Sequence, residues 1–205
     1  MVPELPRRCE RPQRIPNDPA CSAVKVLVVF GTRPEAIKLA PVIRELARRA
    51  EDSDLHTVIC VTGQHREMLD QVLRLFAITA DHDLDLMEDA QTPTRVASAA
   101  LASMEPVLQR ERPDWVVVQG DTTTVAAVSL AAFYAGVKVA HVEAGLRTHN
   151  RQHPFPEETN RRIASVLADL HCAPTGLAKE NLLHEGVAAQ SIVVTRNPVI
   201  DALHE

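Results

Sequence analysis

Aromatic residues are scarce in this chain: four Phe, one Tyr and one Trp make up 3% of its 205 residues. Stacking platforms for bases or carbohydrate rings are correspondingly few. There is no basic stripe either. The 22 Lys and Arg stand against 27 Asp and Glu, a formal net charge of -5, which argues against nucleic acid as a main partner. No apolar run approaches the roughly 20 residues needed to span a bilayer, so no membrane partner is expected. The four cysteines include no Cys-x-x-Cys pair: Cys9 and Cys21 lie in the leading tail, Cys60 and Cys172 inside apolar runs. That pattern excludes the common zinc motifs and suits ordinary thiols in a reducing, cytoplasmic setting.

What is present begins with a tail. Residues 1–22 combine Arg7, Arg8, Arg11 and Arg14 with five prolines and no hydrophobic segment behind them, so they do not read as a secretory signal. A disordered extension is expected there. From Lys25 the pattern changes. Lys-Val-Leu-Val-Val-Phe over 25–30 is a continuous apolar run, as for a strand covered on both faces. Strands are predicted there and over Leu55–Val61, Asp83–Met87, Trp115–Gln119, Lys138–Val142, Leu170–Ala173 and Ser191–Thr195. Helices alternate with them, from Pro34 (with a kink or restart at Pro41), over Glu67–Phe76, Thr94–Gln109, Thr123–Tyr134, Glu157–Leu170 and Leu177–His184, and from Asn197. Regular alternation predicts a doubly wound, mostly parallel α/β sheet. Gly31, Gly63, Gly120 and Gly145 each follow a predicted strand, the edge at which such sheets bind ligands.

Three carboxylate positions fall at that edge. Asp121 follows the strand ending at Gln119, Glu143 follows the one ending at Val142, and Glu157 with Glu158 opens a helix. On spacing alone each has two readings. Asp121 could cap the helix that begins at Thr122 or Thr123. Glu157 and Glu158 could favour a helix dipole and pair with Arg161 and Arg162 one turn on. Glu143 is harder to assign to structure, because it precedes Ala-Gly at the end of an apolar strand. Gly31-Thr-Arg-Pro-Glu is neither a dinucleotide fingerprint nor a Walker loop. Arg33 beside a helix N-terminus, with Lys38 following, still makes a reasonable anion site. Between Glu143 and Glu157 lies a polar stretch with Arg147, His149, Asn150, Arg151 and His153, expected to be a mobile loop of functional use and not a metal site.

Taken in order, Gly31-Thr-Arg-Pro-Glu-Ala-Ile-Lys, Gln64-His-Arg-Glu-Met, Gly120-Asp-Thr-Thr-Thr, His141-Val-Glu-Ala-Gly-Leu-Arg-Thr and Pro156-Glu-Glu-Thr-Asn-Arg resemble the non-hydrolysing UDP-N-acetylglucosamine 2-epimerase family. The resemblance implies the N-terminal half of a glycosyltransferase-B-like fold: a tail over 1–22, a Rossmann-like domain over 23–196 and the start of an interdomain segment over 197–205. It implies interconversion of UDP-N-acetylglucosamine and UDP-N-acetylmannosamine through elimination and re-addition of UDP, without metal or redox cofactor. Asp121, Glu143 and Glu157 would be the catalytic carboxylates. Arg33, Lys38 and Arg147 would contact substrate, and Gln64 and His65 would bind a second UDP-N-acetylglucosamine as activator. Family members tend to form homodimers. Most of the uridine-diphosphate pocket and a further catalytic histidine belong to the family's second half, so little epimerisation is expected from these residues alone. Other readings are a hydrolysing epimerase that releases free N-acetylmannosamine, an inactive truncated homologue that only associates with a full-length one, and a glycosyltransferase of similar architecture. One residue departs from the family pattern: Arg196 stands before Asn197 where the family usually has Gly.

Overall fold

The structure, a computed structural model, describes residues 23–63, 66–86 and 91–203. The tail over 1–22, Gln64, His65 and the end of the strand expected over Asp83–Met87 lie outside the described residues. Among the described residues there are seven strands: β1 (Val24–Phe30), β2 (Leu55–Val61), β3 (His82–Asp83), β4 (Trp115–Gln119), β5 (Lys138–Val142), β6 (Leu170–Ala173) and β7 (Ile192–Val194). They form one sheet in the order β3-β2-β1-β4-β5-β6-β7, and every pairing is parallel. The helices are α1 (Arg33–Ala50), α2 (Arg66–Leu75), α3 (Pro93–Glu111), α4 (Thr123–Tyr134), α5 (Glu157–Leu167), α6 (Gly176–His184) and α7 (Val199–Ala202).

The run at 25–30 has no polar alternation because both faces of β1 are covered. Leu27 and Val29 enter one core with Val116, Val118, Val125 and Met104. Val26, Val28 and Phe30 enter the other with Ala36, Leu39, Ile43 and Leu69. Each such side chain contributes about 1.5–3 kcal/mol by leaving water. Helix α1 continues through Pro41 as one element, so the expected restart is absent. The lost backbone bond is offset by the burial of Ala36, Leu39, Ala40 and Ile43 on its inner face. The acidic edge strand shrinks to His82–Asp83 beside β2.

A parallel sheet with helical returns puts all strand-to-helix loops on one edge. The strand order reverses beside β1, whose neighbours are β2 and β4. In such sheets that reversal opens a crevice at the carboxyl ends of the strands.

Candidate active site

The crevice is laced together by a carboxylate. Thr32 caps α1, and Oε2 of Glu35 accepts from the amides of Gly31 at 2.7 Å and Thr32 at 2.8 Å, completing a capping box. Oε1 of the same side chain accepts from the Thr122 hydroxyl at 2.8 Å. Thr122 is itself the cap of α4, its Oγ1 accepting from the Val125 amide. Glu35 therefore joins the loop after β1 to the loop after β4 across the reversal. It is 3% exposed, and burial pushes its carboxyl above the ordinary range against the pull of these donors. Sequence reasoning did not single out Glu35, although Thr-x-x-Glu ahead of an apolar helix was a usable signal.

With Thr122 as the cap, Asp121 is released from the capping role that spacing allowed. Its Oδ2 instead accepts from Nε of Arg161 of α5 at 2.8 Å, with Nη2 in ion-pair contact at 2.6 Å. Its backbone carbonyl accepts from Nδ2 of Asn160 at 3.0 Å. Both bonds hold the first turn of α5, where Glu157 sits, against the loop after β4. The acidic pair at that helix start divides. Glu158 is fully buried and accepts from the amides of Thr148 and His149 and from Nη1 of Arg161, at 3.0, 3.1 and 3.2 Å. Burial opposes its charge, but those donors outweigh it and hold the carboxyl below the ordinary range. Glu158 thus anchors the loop between β5 and α5, which the sequence had suggested was mobile. The carboxylate of Glu157, at the first position of α5, is only half-buried.

Glu143 is the most constrained of the three. Its backbone lies in the left-handed region at φ 66, a conformation that costs a non-glycine residue roughly 1–2 kcal/mol and that gathers at functional sites. Its side chain is 9% exposed and receives donors from α1, β4 and the segment after β7. Lys38 Nζ lies 2.6 Å from Oε2. Gln119 Nε2 donates to the same oxygen. Asn197 Nδ2 donates to Oε1 at 2.7 Å. Hydrogen bonds to charged groups are the strong ones, about 1.5–3 kcal/mol each, so the carboxylate is fixed in place. Gly120 stays open toward it: a Cβ there would sit 4.0 Å from Oε2 at φ 82. Beneath, His141 is 1% exposed and its Nε2 pairs with the Gly120 carbonyl at 2.7 Å. Burial pushes that imidazole down to about 4, so it is neutral at ordinary pH and supports the loop from below.

The expected cations separate. Lys38 is in the Glu143 cluster. Arg33, the first residue of α1, is exposed at the crevice. Arg147 lies elsewhere: its guanidinium is fully buried and donates to both oxygens of Glu185 at 2.8 and 2.7 Å, to Ser165 and to the Leu146 carbonyl. Gln119, Asn197 and Glu185 are partners that periodicity could not reveal. The thiol of Cys60 is pushed up to about 12, chiefly by burial, and that of Cys172 is raised for the same reason. Among the described residues no group of three His, Cys, Asp or Glu is placed to hold a metal ion.

The family model described as UDP-N-acetylglucosamine 2-epimerase matches residues 47–205. The chain belongs to that family. A UDP-N-acetylglucosamine 2-epimerase of Neisseria meningitidis is 53% identical over 180 residues, 88% of this chain and 48% of the relative. The Escherichia coli K12 epimerase is 52% identical over 180 residues, 88% of this chain and 47% of the relative. Among solved structures, the Neisseria meningitidis epimerase bound to UDP-GlcNAc superposes with a TM-score of 0.84 at 52% identity, over 88% of this chain and 49% of that one. The Methanocaldococcus jannaschii epimerase in complex with UDP-GlcNAc and UDP gives a TM-score of 0.81 at 38% identity, over 87% and 48%. The chain spans about half the length of the curated epimerases it matches. Its fold is the doubly wound, Rossmann-like N-terminal half of their glycosyltransferase-B-like architecture.

Proposed function

We propose that this chain supplies one wall of a site that interconverts UDP-N-acetylglucosamine and UDP-N-acetylmannosamine by inverting C2. The observation that carries this reading is the Glu143 cluster: a carboxylate in a strained backbone conformation at the carboxyl end of β5, held by Lys38 of α1, Gln119 of β4 and Asn197. Epimerisation at C2 needs a proton removed from one face and returned to the other. As the C2–H bond breaks, its electron pair forms the C1=C2 bond and the C1–O bond releases UDP. Re-addition reverses this after the proton reaches the opposite face. Carboxylates in a cleft suit the proton transfers, and Asp121, Glu143 and Glu157 are assigned to them. Cations and free helix N–H groups suit the departing diphosphate. Arg33 and Lys38 take that role, since Arg33 is exposed at the start of α1 and Lys38 is part-exposed beside Glu143.

Contact of Arg147 with substrate would require release from Glu185; in the present arrangement it secures the loop that carries Thr148. Gln64 and His65 are assigned to an activating second UDP-N-acetylglucosamine on the family resemblance alone. Residues 197–205 are read as the start of the interdomain segment, and the working unit as a cytoplasmic homodimer of the longer protein, acting without metal or redox cofactor.

The test is turnover. UDP-N-acetylglucosamine is incubated with this chain, alone and with a separately expressed C-terminal half of the Neisseria relative, and products are followed by NMR in deuterated solvent. Little conversion is expected alone, and UDP-N-acetylmannosamine carrying deuterium at C2 is expected from the mixture. Release of free N-acetylmannosamine would replace the reading with a hydrolysing epimerase. A mixture that assembles but leaves C2 unlabelled would overturn it.

A further inference from the structure

The two oxygens of Glu143 are held from different directions. Oε2 receives Lys38 of α1 and Gln119 at the end of β4, which are central parts of the sheet. Oε1 receives Asn197, which follows the edge strand β7. The Thr195 amide makes the last ladder bond of that edge, to the Ala173 carbonyl at 2.9 Å. Beyond it the chain leaves the sheet. Arg196 turns the corner in the left-handed region at φ 65, and α7 follows, packed against α1. Among the described residues, the hydrogen bonds of 196–203 are local apart from the one from Asn197 to Glu143. The same amide group works in both directions. Its Nδ2 reaches Glu143, and its Oδ1 accepts from the Val199 amide at 3.1 Å, fixing the start of α7.

We propose that Asn197 is a positioning residue for Glu143 and that the segment 196–203 and the Glu143 carboxylate are set as one unit. Displacing the segment withdraws the donor from Oε1 and frees the carboxylate to turn about its bonds to Lys38 and Gln119. Setting the segment down restores the single orientation. The corner after β7 is thereby an input to the site. Whatever moves α7 along α1 changes the aim of Glu143. This inference rests on the reading of Glu143 as a catalytic carboxylate, but its physical content does not depend on substrate. A cap that merely starts α7 would be indifferent to Glu143.

Hydrogen exchange and NMR on the full chain decide it. Glu143→Ala removes the acceptor and leaves Asn197 free to cap Val199. Asn197→Ser keeps an acceptor for the Val199 amide and loses the reach to Glu143. Coupling predicts amide exchange over 196–203 at least about tenfold faster in Glu143→Ala, with β1 and β4 still protected. The double variant should exchange no faster than the faster single. Exchange over 196–203 within about twofold of wild type in Glu143→Ala would overturn the proposal. If Glu143→Ala does not fold, Asn197→Ser decides alone. The side-chain amide resonances of Gln119, which shares the other oxygen, should shift; unmoved resonances would overturn the coupling. In the two-component turnover assay, Asn197→Ser should lower kcat about tenfold with KM unchanged, and an unaffected kcat would reject the positioning role. Absent turnover in the wild type would sink the functional reading, while the exchange result stands as the judge of the coupling.

Discussion

Arg161 donates from Nε to Oδ2 of Asp121 at 2.8 Å, with Nη2 in ion-pair contact with the same oxygen at 2.6 Å, while its Nη1 reaches the fully buried Glu158 at 3.2 Å. One guanidinium therefore supports a candidate catalytic carboxylate and a structural one. Truncating it leaves Glu158 buried without its nearest cation. Removing one partner of a buried pair is costly, so Arg161→Met should lower stability by about 3 kcal/mol. Urea unfolding measures this, and a midpoint close to that of wild type would show that the two amides, with Arg162 at 3.7 Å, hold Glu158 without Arg161.

Arg196 occupies the left-handed region at φ 65, where glycine meets no Cβ penalty. Against that gain stands the greater chain entropy that glycine loses on folding. The balance favours Arg196→Gly by about 0.5–1 kcal/mol. A thermal midpoint at or below that of wild type would mean that the arginine side chain offsets its own strain.

Gly145 is held more tightly still. A Cβ there would lie 2.2 Å from the Ala178 carbonyl oxygen and 2.8 Å from its carbon, at φ 87. The obstruction is backbone of α6, which cannot rotate aside. Gly145→Ala should cost about 3 kcal/mol or more and open the Ala144, Ala173, Ala178 and Leu182 cluster to proteolysis. An intact, protease-resistant variant would show that α6 can shift.

Glu143 invites a comparison of two losses. Glu143→Ala and Glu143→Gly both remove the carboxylate, so their difference reports the backbone. Glycine usually destabilises relative to alanine, but at φ 66 the order should reverse by about 1 kcal/mol. Paired urea titrations test this. Alanine proving the more stable would mean that the loop relaxes once the side chain is gone.

The buried imidazole of His141 makes stability pH-dependent. Its folded value is depressed to about 4 from 6.5, so its contribution is present above 6.5 and is lost as pH falls toward 4. That window corresponds to about 3 kcal/mol. His171, on the neighbouring strand and also lowered by burial, acts in the same direction. Unfolding titrations at about pH 7.5 and about pH 4.5 should therefore differ much less in His141→Gln than in wild type. Equal losses in the two proteins would place the acid sensitivity elsewhere.

Strand and helix positions were legible because burial on both faces writes itself as continuous apolar runs. Trp115–Gln119, Thr123–Tyr134, Lys138–Val142 and Leu170–Ala173 carry the bounds expected for them. Glu143 was legible as an anomaly, an acid at the end of an apolar strand. Its partners were not. Lys38 and Asn197 lie far from it in sequence, and only the order of strands decides which loops meet. Capping was legible as a possibility and misplaced by one residue, since Thr122 takes the helix amide and leaves Asp121 to Arg161. Glu157 and Glu158 looked alike in sequence. What separates them is the path of the preceding loop, whose amides at 148 and 149 turn onto Glu158 alone. The partner of Arg147 was not legible either, since nothing local announces Glu185, which lies beyond α5, β6 and α6.

The parallel sheet also fixes where the protein can be handled. Every strand runs toward the site, so every helical return deposits its loop at the opposite edge. The turn at residues 51–54, between α1 and β2, is exposed and lies a strand's length, about 20 Å, from the edge where Glu143 stands. A dye, tether or surface anchor attached at Asp52 would leave Lys38, Asp121 and Glu143 untouched and present the site edge outward. The polarity of the strands thus doubles as a mounting guide for single-molecule work on this chain.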